Sequence, residues 1–191
     1  MNTTRKRFFI LTGDPGVGKT TLTKKLTSSI IEKGVKASGF YTEEVRRNGV
    51  REGFDVVSLD GLRGRLARDQ SLLGGPVKYK VGKYGVLVDE FEKIGLASLN
   101  QAADQNSLLV IDEIGKMEFF SEPFKKRIRE VFSGISSHVI LASIPVRRSD
   151  NLIEGIRNHS LAKVWLVTRE NRNQLHDEIM KEIASLLAVS S

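Results

Sequence analysis

Gly13-Asp14-Pro15-Gly16-Val17-Gly18-Lys19-Thr20 decides how the rest of the chain is read. It fits G-x-x-x-x-G-K-[ST] at every position, and its flanks agree with it. The run Phe8-Phe9-Ile10-Leu11 before it has the composition of a buried strand. From Thr20 to Glu32, Leu22, Leu26 and Ile30 share one helical face, and Gly34 ends that helix. Strand, glycine loop and helix in this order let successive backbone N–H groups turn toward an anion at a helix N-terminus. The pattern predicts that Gly13 through Thr21 bind a nucleotide, with Lys19 on the β- and γ-phosphates and the Thr20 hydroxyl on Mg²⁺.

A second motif completes the first. Leu108-Leu109-Val110-Ile111 is fully apolar, as a strand of a buried parallel sheet should be, and runs straight into Asp112-Glu113-Ile114-Gly115. This is the Walker B arrangement: the Asp112 carboxylate holds Mg²⁺, and Leu108 through Gly115 are expected to bind the nucleotide. Glu113, one residue beyond the strand end, is placed to take a proton from an attacking water. Asp112-x-x-Gly115 also fits the D-x-x-G element of small GTPases, but no N-K-x-D segment that would read guanine is present. A small-molecule kinase uses the same loop, and Arg63, Arg65 and Arg68 could serve it as lid arginines. A kinase must exclude water, however, and a glutamate beside the Walker B aspartate activates it, which favours hydrolysis. A nucleotide-dependent regulatory binding module is the alternative of another class.

The remaining chain organises around these motifs as one domain spanning 1–191. Strands are expected over Lys36–Arg46, Val50–Leu59 and Leu62–Arg68, turned at Asn48-Gly49 and Asp60-Gly61. Two short ones follow at Val77–Val81 and Tyr84–Val88. This stretch reads as an antiparallel hairpin insertion after the first helix. Beyond it, a helix from Asp89 to about Ala103, the strand at Leu108, a helix from Glu122 capped by Ser121, a strand over Val139–Ala142 and a short helix ending near Asn158 alternate. A strand over Val164–Val167 and a C-terminal helix close the chain. The fold class is α/β: a P-loop NTPase with a mainly parallel sheet and helices on both faces.

Composition narrows the setting. No run is long and apolar enough for a membrane span, so no membrane partner is expected. The absence of cysteine excludes disulfides and thiol chemistry and fits an intracellular, cytoplasmic protein. Arg5-Lys6-Arg7 before an apolar segment has the look of an export signal, but that segment is already committed to the phosphate-loop strand. The net charge of +7 is concentrated between Arg46 and Lys83. Few aromatic residues interleave with those cations, so no sequence-specific nucleic-acid partner is expected and nucleoside triphosphates are the partners foreseen.

These motifs, together with Gly39-Phe40-Tyr41-Thr42-Glu43-Glu44-Val45-Arg46, Gly53-Phe54-Asp55-Val56-Val57, Asp112 to Glu118 and Thr168-Arg169-Glu170-Asn171-Arg172, resemble the cancer-related nucleoside-triphosphatase family. The resemblance covers nearly the whole chain. It implies a monomeric RecA- or AAA-like fold that slowly hydrolyses ATP, GTP, CTP and UTP with little base preference. It carries the family's phosphate loop onto Gly13 through Thr20 and its catalytic acidic pair onto Asp112 and Glu113. Asp14 departs from the neutral residue expected there, and beside phosphates it would weaken affinity unless it faces solvent.

Thr168-Arg169-Glu170-Asn171-Arg172 directly follows the last strand and so puts Asn171 and Arg172 on the sheet edge that carries Gly13 and Asp112. A guanidinium there can stack on any base; alternatively, Thr168 simply caps the final helix and both residues are exposed. Glu43 and Glu44 are candidates for ordering metal-bound water or are surface charge, and Glu118 is given no chemistry. His138, His159 and His176 lack metal-ligand spacing. One of Arg147 and Arg148 could contact phosphate, but the pair reads better as a solvated loop.

Overall fold

The computed structural model describes residues 4–100 and 106–187. Strand β1 (Phe8–Thr12) enters the phosphate loop, and α1 (Lys19–Glu32) leaves it. Then come β2 (Lys36–Arg47), β3 (Val50–Ser58), β4 (Arg63–Asp69), β5 (Lys80–Val81) and β6 (Tyr84–Val86). The second half runs α2 (Val88–Phe91), α3 (Ala97–Asn100), β7 (Ser107–Asp112), α4 (Glu122–Val131), β8 (Val139–Ser143), α5 (Asn151–Arg157), β9 (Ala162–Leu166) and α6 (Arg172–Leu186).

The nine strands of the described residues form one sheet in the order β5-β6-β4-β3-β2-β7-β8-β1-β9. From β2 to β9 neighbours are parallel, and from β2 to β5 they are antiparallel. The expected hairpin insertion is therefore a wing that continues the core sheet. Strand β2 belongs to both parts: Lys36–Tyr41 pairs with β7, and Phe40–Arg47 pairs with β3. Asn48 at φ 49 and Gly49 at φ 78 make the tight β2–β3 turn, which needs two left-handed residues.

Alternation along β1 shows how the sheet is covered on both faces. Phe9 and Leu11 pack with α1 and α6, through Leu22, Leu26, Ile30, Leu175, Ile179 and Ile183. Phe8 and Ile10 point the other way, toward the face that α4 and α5 cover with Phe124, Ile128, Ile153 and Ile156. Phe40, Phe91 and Phe124 meet edge to face at the centre of that second layer, with centroids 5.1–6.0 Å apart. Truncating any one of them to alanine would cost about 3–5 kcal/mol.

Two elements differ from expectation. The Val77–Val81 strand shrinks to Lys80–Val81. The helix expected from Asp89 starts at Val88 and is interrupted by a π-helical turn at Glu92–Leu96; its 101–103 end lies outside the described residues. Gly95 sits inside that turn against the Phe91 ring, where a Cβ would stand 2.5 Å from Cε2. The wider turn accommodates that close contact between residues four apart, which helical periodicity does not encode.

Candidate active site

The carboxyl ends of β1, β7, β8 and β9 share one sheet edge, and every element of the site grows from it. The edge is knitted by backbone: Val167 N–H donates to Thr12 O at 2.7 Å, Ile144 N–H to Leu11 O at 3.0 Å and Ile114 N–H to Ser143 O at 2.9 Å. The chain after β9 presses so close to the loop that a Cβ on Gly13 would lie 2.4 Å from Val167 O. Gly18 caps α1 from the left-handed region, at φ 103. Both positions thus require glycine for a physical reason.

Within the loop, Lys19 folds back so that Nζ donates to Gly13 O at 2.7 Å and to Asp14 O at 3.0 Å. Its charge is held over the loop by carbonyl oxygens, not neutralised by a carboxylate. The Asp14 residue itself is exposed to solvent.

Asp112 ends β7 and is 2 % exposed. The Ser143 hydroxyl, from the end of β8, donates to its Oδ1. Its Oδ2 is buried with no hydrogen-bond donor. Thr20 stands close by without a hydrogen bond of normal geometry. Burial raises the Asp112 pKa, while the Ser143 and Thr20 hydroxyls and the Lys19 and Lys24 charges pull it back. A buried carboxylate oxygen without a donor, facing a threonine hydroxyl, is a pair of hard oxygen ligands, and these residues fit Mg²⁺. No cluster of three metal-ligating side chains exists among the described residues. That also suits Mg²⁺, which takes its remaining ligands from phosphate and water.

Glu113 follows at the rim, half-buried. Burial raises its pKa, the Asp112 charge raises it further, and Lys19 opposes both. Glu118, on the short 3₁₀ turn Glu118–Phe120, is 4 % exposed and turns toward the same space. A Cβ on Gly115 would meet Glu113 Oε1 at 2.8 Å and Glu118 Oε2 at 3.1 Å, so only glycine lets both carboxyl groups converge there. Burial first, then the Glu113 and Asp112 charges, push the Glu118 pKa well above 4.5.

Lys19, Thr20, Asp112, Glu113 and Glu118 line a cleft of about 760 Å³, whose far wall is the wing: Thr42, Glu43, Phe54, Leu66 and Val81. Leu108, Leu109, Val110, Ile111 and Ile114 are 0 % exposed and line no part of it; their share is to carry Asp112 to the edge. Asn171 spends its amide on the β9–α6 turn: Oδ1 accepts from Thr168 N–H at 2.7 Å and Nδ2 donates to Leu166 O at 2.8 Å. Arg172 reaches back to the loop, with Nη1 donating to Val17 O at 3.2 Å beside Gly18.

Sequence reasoning passed over Ser143, although a serine ending an apolar strand on this edge is a visible signal. It also left Glu118 without a role, since nothing local says that its carboxyl is buried. The wing cations foreseen as lid arginines are engaged. Arg63 binds Asp55 and Glu43, Arg65 binds Glu90, and Arg68 binds Asp55. Glu43 also holds Lys24, and Glu44 holds Arg46 and Arg51.

The NTPase family matches residues 8–180. The chain is 46% identical over 186 residues to the cancer-related nucleoside-triphosphatase homolog of Bos taurus, covering 94% of this chain and 97% of that one. It is 40% identical over 171 residues to nucleoside-triphosphatase THEP1 of Thermotoga maritima, covering 90% and 92%. Among solved structures, THEP1 of the hyperthermophile Aquifex aeolicus superimposes with a TM-score of 0.80 at 35% identity, over 92% of this chain and 98% of that one. The solution structure of a human cancer-related nucleoside triphosphatase gives 0.78 at 44% identity, over 94% and 98%.

Proposed function

We propose that this chain, which belongs to the NTPase family and is a nucleoside-triphosphatase, splits the terminal phosphate from ATP, GTP, CTP and UTP with Mg²⁺, slowly and with broad base tolerance. The observation that carries the reading is the pairing on one edge of a buried, donor-free Asp112 Oδ2 with Glu113 beside it, facing the phosphate loop. The backbone N–H groups of Gly16 through Thr20 cradle the phosphates, Pro15 having none to offer, and Lys19 exchanges its bonds to Gly13 O and Asp14 O for phosphate oxygens. Thr20 and Asp112 hold Mg²⁺, which when bound screens the charge that develops on the transferring phosphoryl group.

Glu113 acts on the water. It lies in the cleft with Lys19 and Asp112, and burial, which raises its pKa, makes it a stronger base toward an attacking water. The hydrolytic reading is favoured over phosphoryl transfer because the wing arginines that would close a dry lid are held by carboxylates. Base tolerance is supported by the lack of any N-K-x-D segment. The protein is read as a monomer inside the cell that binds no nucleic-acid sequence specifically. Among the described residues no helix is long and apolar enough to cross a membrane.

Phosphate release from the four triphosphates tests the reading. All four should yield free phosphate in Mg²⁺, and EDTA should stop it. Phosphate that persists in EDTA removes the metal from the mechanism. Release from one base alone removes the tolerance, and transfer to an acceptor in place of release makes the protein a kinase.

A further inference from the structure

Hydrolysis by Lys19, Asp112 and Glu113 leaves one buried acid of the cleft unused. Glu118 is 4 % exposed, lines the cleft beside Glu113 and makes no ion pair among the described residues. The turn that carries it is pinned. Phe119 N–H donates to Gly115 O and Ser121 N–H to Glu118 O, both at 3.1 Å, and Ile114 N–H ties the same stretch to the end of β8. Phe119 packs edge to face on Phe124, so the turn rests on the core beneath α4. The backbone N–H groups of Gly115 and Glu118 face the Glu118 carboxyl, which provides for one of its oxygens.

Glu113 has the complementary need. A base that takes a proton from water must be held in one orientation, and in activated sites a third group does so. Among the described residues no side chain donates a hydrogen bond to Glu113; Asp112 repels it and Lys19 attracts it. Glu118 is the group at hand. Glu113 Oε1 and Glu118 Oε2 lie 2.8 and 3.1 Å from one point above Gly115. Two carboxylates this close in a buried site repel, and a proton on one turns the repulsion into a hydrogen bond. Glu118 is the one to keep it: it is the more buried and feels the charges of both Glu113 and Asp112, whereas Lys19 steadies the charge on Glu113. Contacts of this kind are often long in a free enzyme and tighten once substrate is bound.

We propose that Glu118 is the positioning residue for Glu113: its O–H donates across Gly115 to Glu113 Oε1 and leaves Oε2 to the attacking water. The inference rests on Glu113 being the base and deepens that reading. Glu118 keeps its proton throughout, and the proton taken from water resides on Glu113.

The test reads single-turnover phosphate release and nucleotide affinity, with Mg²⁺, across a set of variants. Glu118→Met, and Glu118→Leu beside it, keep the bulk and remove the donor; an apolar side chain of similar size in place of a buried acid spares the fold. Each should slow release roughly 10- to 100-fold with affinity within about twofold of the parent's. Glu118→Gln returns a donor, N–H for O–H, and should restore release to within about threefold of the parent's. In the Glu113→Gln background, Glu118→Met should change release less than about twofold, since it acts only through Glu113. Release at the parent's rate in both apolar variants, a Glu118→Gln as slow as they are, or losses that multiply in the double variant would each overturn the positioning role while leaving Glu113 as the base. Release at the parent's rate in Glu113→Gln overturns the base itself, and the positioning role with it.

Discussion

The phosphate edge and the antiparallel wing carry charge in opposite ways. On the wing nearly every guanidinium has a carboxylate: Arg46 and Arg51 share Glu44, Arg47 binds Glu52, Arg63 and Arg68 share Asp55, and Arg65 binds Glu90. On the phosphate edge, three charges lack an opposite partner among the described residues. Lys19 is held by carbonyls, Arg172 by a carbonyl, and Asp112 keeps one buried oxygen without a donor. Paired charges fix a structure, whereas unpaired ones in the interior are costly and persist where a ligand completes them. Most of the wing cations noticed in the sequence are therefore engaged with carboxylates, and the cations that matter for nucleotides lie elsewhere.

That contrast predicts opposite signatures for charge removal in the two regions. The largest effect belongs to Lys19→Ala, which should abolish measurable phosphate release while leaving thermal stability within about 1 kcal/mol, because only two exchangeable hydrogen bonds are lost. A large fall in Tm would place Lys19 among the structural charges. On the wing, Asp55→Ala strands the mostly buried Arg68 and leaves Arg63 with Glu43 alone, and should cost about 3 kcal/mol in denaturant unfolding. If that variant unfolds like the parent, the wing pairs do not hold the fold.

The fold and the loop were legible for a simple reason. The phosphate loop, the apolar run before Asp112 and the Asn48-Gly49 turn are local signals, each set by backbone chemistry within a few residues. Part of what escaped is set by contacts across the chain. The double use of β2 depends on register with β7 and β3, whereas the π turn and Asn171's commitment hang on contacts within five residues whose geometry the residue types alone do not specify. Burial of Glu118 likewise comes from the fold and cannot be read from Glu-Phe-Phe.

Glu118 supplies a smaller, pH-dependent test on the phosphate edge. Its pKa is raised in the folded protein, so above 4.5 the unfolded chain releases a proton that the native state keeps. Stability must then fall as pH rises toward the elevated native value. Glu118→Gln removes that proton and should flatten the decline measured without Mg²⁺ or nucleotide. An unchanged slope would mean that the decline originates in other groups. The smallest effect concerns the wing cations, already paired internally: binding to DNA or RNA should be weak and disappear as salt rises. Tight, sequence-selective binding at physiological salt would show that the wing has a second use.

Glu113→Gln tests the central claim most directly, because it keeps the size and hydrogen-bonding capacity of the side chain and deletes only the base. Single-turnover phosphate release and nucleotide affinity should be measured together on this variant with Mg²⁺. The account predicts affinity close to the parent's and release slowed roughly 10²–10⁴-fold. Release at the parent's rate with intact affinity would contradict it and leave Glu113 as a structural carboxylate on the rim.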